Sequence, residues 1–476
     1  MFAFITLFNG VVSGQDYSFR VVRGKVDTTY SARHYVVGVA KPGSTITING
    51  EKVKQYETGG FGIAINLSKG NNRISVKAII DNNEVSDEFS VFYKDREIIA
   101  EQTPQRPKRT IPVISTLKGA YLNSSAGTDR LGGTKINYIA EGVKMELLDS
   151  IYDLYKVRLS EERYSYIPKS FVKREVSGTI VPFSVSSSIS VSNVGGADMV
   201  MVALEGRHPY IISRELNPNK IVIDLHGVQC NSNWLTHYLD LESVDYVESL
   251  QSGSDVLSIV IHLKESYSWG YSVDYSGNSL VVRVKHSPKP TLKGLIIGLD
   301  AGHGGTADGA VSITGVKEKA LNLEMTYILK EEFEKRGAKV VMTRTDDRDL
   351  SMQERIDILR AGKVNMALSV HCNAGGSPLD HMGASTYYKH VDFRELAKSI
   401  LVRIVEIQGV KNFGLVGNFN FSLSSHSDIP IILVETMFLS SLPDEEKILN
   451  QKFRKEMMLK VVQGVEEYMS KSGDIR

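Results

Sequence analysis

The hydrophobic period of this chain changes once, at Ser287-Pro288-Lys289-Pro290, and that change limits the folds open to it. Before this point apolar residues alternate singly over short runs broken by turn residues, the pattern of half-buried strands. Beyond it, short apolar runs alternate with stretches at helical spacing. The first pattern builds sandwiches and barrels; the second builds a mostly parallel sheet flanked by helices. At 476 residues the chain also exceeds what one core supports, so several domains are expected.

Residues 1–15 carry a short apolar core, Phe2-Ala3-Phe4-Ile5-Thr6-Leu7-Phe8, then the small residues around Ser13-Gly14. They read as a secretory signal that lacks its basic leading segment. Residues 16–98 read as a β-sandwich: Ile46-Thr47-Ile48 turns through Asn49-Gly50, a strong hairpin signal, and further alternating runs follow at 61–67 and 74–78. Residues 99–112, polar and carrying Pro104 and Pro107, suit an extended linker. Strands resume over 113–175, where 155–159 and 164–172 close what reads as a small barrel whose tyrosines either pack in its core or, where exposed, stack on sugar or peptide. A third β-rich block spans 176–288, and its His226 and His262 read as structural.

The charge balance of 56 basic against 55 acidic residues excludes the basic excess of a nucleic-acid binder. No apolar run reaches the roughly 18 residues of a membrane span, so none is expected in the mature chain. Cys230 and Cys372 fall in different blocks, so no disulfide is expected between them. Cys372 reads as a packing residue, because a strand neighbour of His371 points to the opposite face.

From 293 to 471 strands and helices alternate. An apolar run at 295–299 leads into Asp300-Ala301-Gly302-His303-Gly304-Gly305. A helix begins at Lys317-Glu318-Lys319 and ends at Arg336-Gly337, and Ser351-Met352-Gln353-Glu354 is a capping box that starts another. Strands at 366–370 and 431–434 deliver His371 and Glu435; Asp392-Phe393-Arg394-Glu395 is expected to cap a helix running to Gln408-Gly409. A last helix is expected over 453–469. A parallel sheet gathers the residues at its strand ends along one edge, so His303, His371 and Glu435 should meet there, with Glu318 facing His303 from the first helix. Two imidazoles and a carboxylate form a nitrogen and oxygen set suited to zinc with one position open. Zinc lowers the pKa of water from about 15.7 to about 7. Glu435 is then free to act as general base and acid. His381, His390 and His426 lack such placement, although His426 lies shortly before the Glu435 strand.

The segments Asp300-Ala301-Gly302-His303-Gly304-Gly305, Gly315-Val316-Lys317-Glu318-Lys319, Ser369-Val370-His371-Cys372-Asn373-Ala374 and Val434-Glu435-Thr436-Met437-Phe438-Leu439-Ser440 occur in this order. In this they resemble zinc-dependent N-acetylmuramoyl-L-alanine amidases, family three. The resemblance implies zinc bound by His303, Glu318 and His371, a catalytic Glu435, and peptidoglycan cut between muramic acid and L-alanine. The sandwich resembles immunoglobulin-like modules of exported bacterial proteins, the barrel resembles bacterial Src-homology-like domains, and the third block resembles the AMIN localisation module. Together they imply a periplasmic or secreted, wall-associated enzyme of wall degradation and cell separation, with division or envelope proteins as partners of the N-terminal modules. The alternatives are a zinc amidase or peptidase acting on another peptide, or a non-catalytic wall-binding activator. Ala320 and Ser441 depart from the family pattern. Arg355 and Asn373 match family positions whose roles the residues alone do not reveal. The interval 372–434 lacks the long inserted helix that occludes some regulated members, which implies an open site.

Overall fold

The structure is a computed structural model describing residues 19–94, 112–127 and 134–473. The signal-like segment at 1–15 and all but the last residue of the 99–112 linker lie outside the described residues. The chain is multidomain and strongly β-rich, with a C-terminal α/β domain.

Residues 20–93 form a three-stranded and a five-stranded sheet around Val36, Ile46, Phe61, Ile74 and Val91. At the expected hairpin, Asn49 and Gly50 take φ of 51° and 82° and Ile48 pairs with Glu51. Two successive positive φ values are what a two-residue turn between right-twisted strands requires. Val37 of this sandwich also packs against Ile313 and Leu442 of the C-terminal domain.

Residues 113–174 form one antiparallel seven-stranded sheet, and 184–285 supply a five-stranded sheet, a four-stranded sheet and a short parallel pair. One hydrophobic cluster runs through both stretches, joining Met145 and Val157 to Tyr210, Ile221 and Leu257. The Tyr210 hydroxyl accepts the Ala140 N–H at 3.1 Å, and the Asn137 carboxamide bonds both Tyr210 O and Ile212 N.

Two histidines lie inside this β region. His226 is 2% exposed and neither ring nitrogen has a hydrogen-bond partner among the described residues; His208 shares its Nε2 with Ser184 Oγ at 2.7 Å. Burial pushes both imidazoles down to about 4. Above pH 6.5 folded and unfolded chains are both neutral at these sites. Between pH 6.5 and 4 only the unfolded chain takes the protons, so stability falls with acidification, approaching about 3 kcal/mol per histidine near pH 4. Thermal unfolding from pH 7 to pH 4 checks this: His226→Gln should lose less stability than the parent, and an equal loss contradicts it. His262 instead bonds Glu248 at 2.8 Å and stacks on Tyr246.

The C-terminal domain contains β1 (Ile296–Ala301), α1 (Glu318–Lys335), β2 (Lys339–Met342), α2 (Met352–Ala361), β3 (Met366–Asn373), β4 (Ala384–Tyr387), α3 (Arg394–Ile404), β5 (Asn412–Val416), β6 (Ile431–Phe438), α4 (Leu442–Ile448) and α5 (Gln451–Gly473). The sheet order is β2-β1-β3-β6-β4-β5, parallel except where β4 runs against β6. Leu321, Met325, Leu329 and Phe333 of α1 pack with Met457, Val461 and Val465 of α5 in one cluster. Ile356 and Leu359 of α2 pack with Val364 and Ile431 in another. The Ser351 capping box is present: Ser351 Oγ accepts Glu354 N–H, and Glu354 returns the bond to Ser351 N–H.

Three local expectations are corrected. Asp392 does not cap α3; a 3₁₀ turn, Val391–Phe393, precedes it, and Asp392 accepts from Arg214 Nε at 2.6 Å across the boundary with the third block. A guanidinium outcompetes a backbone amide for a buried carboxylate. α3 stops at Ile404 rather than near 408, and the last helix begins at Gln451 after a separate α4.

Candidate active site

His371 and Glu435 lie inside their strands rather than just beyond them, and they are paired neighbours in register on β3 and β6. Their side chains therefore share one face of the sheet. Cys372 turns to the other face, buried beside Thr436 Oγ1 at 3.3 Å. His303 follows β1 on a loop where its own φ is 61°, succeeded by Gly304 and Gly305 at 132° and 55°. This left-handed run folds the imidazole back toward the start of α1.

Glu318, the first residue of α1, is 3% exposed and sits where a helix start favours negative charge. Its Oε2 lies 3.2 Å from His303 Nε2 and accepts the Ala310 N–H at 2.7 Å. Its Oε1 lies 3.0 Å from His371 Nδ1 and accepts the Cys372 N–H and the Asn322 Nδ2–H, each at 3.0 Å. Burial alone would raise the pKa of this carboxyl; the bonds from His303 and His371 outweigh it and hold Glu318 well below the usual range. Ligand atoms of His303, Glu318 and His371 all lie within 4.8 Å of one another, the one such group among the described residues.

Glu435 stands beside this group without joining it. Its Oε2 is buried with no partner among the described residues, and burial pushes the carboxyl up to about 7. A buried carboxylate oxygen without a hydrogen bond is costly for the fold, and such groups collect where proton transfer is needed.

Two buried guanidiniums hold the His303 loop. Arg355 bonds Asp300 Oδ1 at 2.6 Å, Ala301 O at 2.9 Å and His303 O at 2.7 Å. Arg344 bonds Ala301 O, Gly302 O and Lys319 O at 2.7 to 3.0 Å. Asp300 also accepts from the Thr343 and Ser369 hydroxyls, so β1, β2 and β3 are tied beneath the loop. Arg355 thereby acquires a positioning role, while Asn373 donates to the Tyr387 hydroxyl at 3.1 Å. Asn322 and Arg344 do not stand out in the sequence as parts of the site. Asn322 lies one helical turn after Glu318, the spacing that could have marked it.

A Cβ at Gly302 would lie 2.2 Å from Cε1 and Nε2 of His371, and one at Gly309 would lie 2.4 Å from Glu318 Oε2. Gly302→Ala is therefore expected to displace the His371 ring and lower activity about a hundredfold. Activity and metal content measured on the folded variant check this. The remaining histidines lie elsewhere: His381 against Asp444, His390 against Ser425 O, and His426 stacked on Tyr138 at 4.5 Å.

A cluster of two imidazoles and a carboxylate along one edge of the sheet, with a glutamate beside it that has a buried unpartnered oxygen, defines the hydrolase class to which this domain is similar. Residues 297–467 match the family described as N-acetylmuramoyl-L-alanine amidase. Over 203 residues the chain is 32% identical to the probable cell wall amidase LytH of Staphylococcus aureus, covering 42% of this chain and 67% of that protein. It is 30% identical over 178 residues to the N-acetylmuramoyl-L-alanine amidase LytC of Bacillus subtilis, covering 36% of this chain and 35% of that one. Among solved structures, an N-acetylmuramoyl-L-alanine amidase from Clostridium difficile 630 is 31% identical with a TM-score of 0.35, covering 37% of this chain and 97% of that one. The chain belongs to the N-acetylmuramoyl-L-alanine amidase family and is a peptidoglycan hydrolase.

Proposed function

We propose that the C-terminal domain cleaves the amide between the lactyl group of N-acetylmuramic acid and L-alanine, with zinc held by His303, Glu318 and His371. What carries this reading is the convergence of those three ligand groups beside a Glu435 carboxylate that has an unpartnered buried oxygen. The donor set fits zinc, being two imidazoles and one carboxylate with no thiolate. Bound there, zinc supplies Lewis acidity toward the scissile carbonyl and makes water easier to deprotonate. Glu435 takes a proton from the attacking water and returns it to the departing amine of L-alanine. Asn322 and the Ala310 and Cys372 amides fix the Glu318 carboxylate, and Arg344 and Arg355 fix the His303 loop.

The blocks at 16–98, 113–175 and 176–288 act, in this reading, as an immunoglobulin-like spacer, a Src-homology-like wall-targeting module and an AMIN-like localisation module. The enzyme works outside the cell in association with the wall, a placement supported by relatives named as cell wall amidases. It is exported to the periplasm or secreted, with a signal at 1–15. The site is open without an activator: α3 packs on α5 and β4, and His303 keeps about a third of its side chain exposed.

Incubating purified sacculi with the protein and zinc should release free stem peptides beginning with L-alanine, identified by mass spectrometry. Release of glycan fragments with the peptide still attached contradicts the bond assignment. A large rise in rate on adding an activator protein contradicts the open site.

A further inference from the structure

One outward face of the 20–93 sandwich is dry. Along its strand Arg33–Val39 successive side chains point to opposite faces. Val36 enters the sandwich core, so Val37 points outward, yet Val37 is 0% exposed. Its direct partner on the strand Gly60–Asn66 is Gly62, and Gly60 lies two residues away on the same face. This face therefore sets an apolar side chain beside two positions that carry none. Glycine inside a strand marks the close approach of another part of the molecule, and here that part is the catalytic domain. A Cβ at Gly60 would lie 2.5 Å from Leu442 Cδ2 and 3.7 Å from Ile313 Cγ2, and one at Gly62 would lie 3.3 Å from Leu379 Cδ2.

Ile313 stands at the tip of the segment that leads from the His303 loop to Glu318. That segment is a closed turn. The Ser312 N–H donates to Val316 O at 2.9 Å, Ser312 Oγ accepts the Val316 N–H at 2.9 Å, and Val311 pairs antiparallel with Lys317. At the base the Glu318 N–H donates to Ala310 O at 2.8 Å, and the Ala310 N–H donates back to Glu318 Oε2 at 2.7 Å. Gly309 leaves no slack beside that bond, since a Cβ there would lie 2.6 Å from His303 Cδ2 and 2.4 Å from Glu318 Oε2. A shift of the turn is thus carried to the Glu318 carboxylate and the His303 ring.

The tip has two supports. From its own domain, Glu445 of α4 accepts the Thr314 N–H at 3.0 Å and the Thr314 hydroxyl at 2.7 Å through one oxygen. From the sandwich, Val37 packs on Ile313 and on Leu442, the first residue of α4, and none of the three is more than 4% exposed. The sandwich therefore bears on the turn and on the helix that holds it. We propose that the sandwich is a positioning element of the catalytic centre, beyond a spacer: Val37, seated against Ile313 and Leu442 beside Gly60 and Gly62, fixes the 310–318 turn and with it the Glu318 carboxylate. This rests on the amidase reading above and assigns part of its site geometry to a block outside the catalytic domain.

The test uses the full chain. Val37→Lys puts a charge on the outward face and leaves the Val36 side of the strand intact, so the sandwich should still fold. It should lower kcat on a soluble muramoyl peptide about tenfold with KM unchanged. A misplacement of 1 Å costs about a hundredfold, and Glu445 still holds the tip. Zinc binding measured against a competing chelator should weaken about tenfold. In the zinc-free chain, hydrogen exchange of the 310–318 amides should quicken about tenfold while the sandwich strand Gly70–Ile80 keeps its protection. Gly60→Val should act in the same way through its clash with Leu442, and adding Leu442→Ala should restore part of the exchange protection and of kcat. That pair keeps the test decisive if Val37→Lys fails to fold. Exchange and zinc affinity at the parent level in Val37→Lys and Gly60→Val overturn the inference, as does a raised KM with kcat intact, which would make this face a substrate contact. A parent inactive on the muramoyl peptide overturns the amidase reading instead, and the exchange and zinc measurements still decide the positioning role.

Discussion

Glu435→Ala is expected to slow cleavage of the muramoyl-alanine amide by a factor of about 10² to 10⁴, the range for loss of a positioned proton-transfer group. Zinc content should stay at the parent level, because Glu435 lies outside the group formed by His303, Glu318 and His371. Stability should hold or rise, since the substitution removes a buried carboxylate whose Oε2 has no partner among the described residues. Metal analysis, thermal unfolding and a rate on soluble substrate test the three parts separately. If zinc falls in Glu435→Ala as far as in His303→Ala, Glu435 is a ligand and the role given to it is wrong.

The second large effect is expected at a residue that touches no substrate. Arg355→Ala would leave Asp300, 1% exposed, as an uncompensated buried charge. Breaking one side of such a pair costs about 3 to 5 kcal/mol. The same guanidinium supplies the hydrogen bond to His303 O, so the loop loses its anchor along with the strand. Burial pushes Asp300 up, but Arg355 and the Ser369 and Thr343 hydroxyls hold it below the usual carboxylate range. Denaturant unfolding should show the loss, and zinc affinity should fall in protein that remains folded. Asp300→Asn, which removes the charge but keeps the shape, should restore part of the stability of the Arg355→Ala chain. Unfolding of the double variant at the same midpoint as Arg355→Ala alone contradicts the ion-pair account.

These two sites show how unevenly the molecule could be read. His303, His371, Glu435 and Glu318 are legible because each follows an apolar run or opens a helix, and a parallel sheet has only one edge toward which such residues collect. Arg355 and Arg344 were not legible in the same way: nothing in their local sequence says that their guanidiniums turn inward to cap carbonyls of a distant loop. β4 and β5 are not visible as strands in the sequence either. Ala384-Ser385-Thr386-Tyr387 and Asn412-Phe413-Gly414-Leu415-Val416 are too short and too mixed to display a period before neighbours pair with them.

Asp392 is the clearest case of tertiary override. Its position two residues before α3, with Glu395 three residues on, is a local capping pattern worth about 1 kcal/mol. Arg214, 178 residues earlier, offers a charged partner in a buried setting, and the carboxylate takes it. Local pattern therefore determined the change from β-rich blocks to an α/β domain, the hairpin at Asn49-Gly50, the Ser351 cap and the gathering of four titratable residues at one edge. Tertiary structure alone decided which buried charges are paired and which loop carbonyls are clamped. The reason is range: periodicity and capping act over a few residues and are written in them. Pairing of a buried charge depends on which distant group the packed core brings within 3 Å.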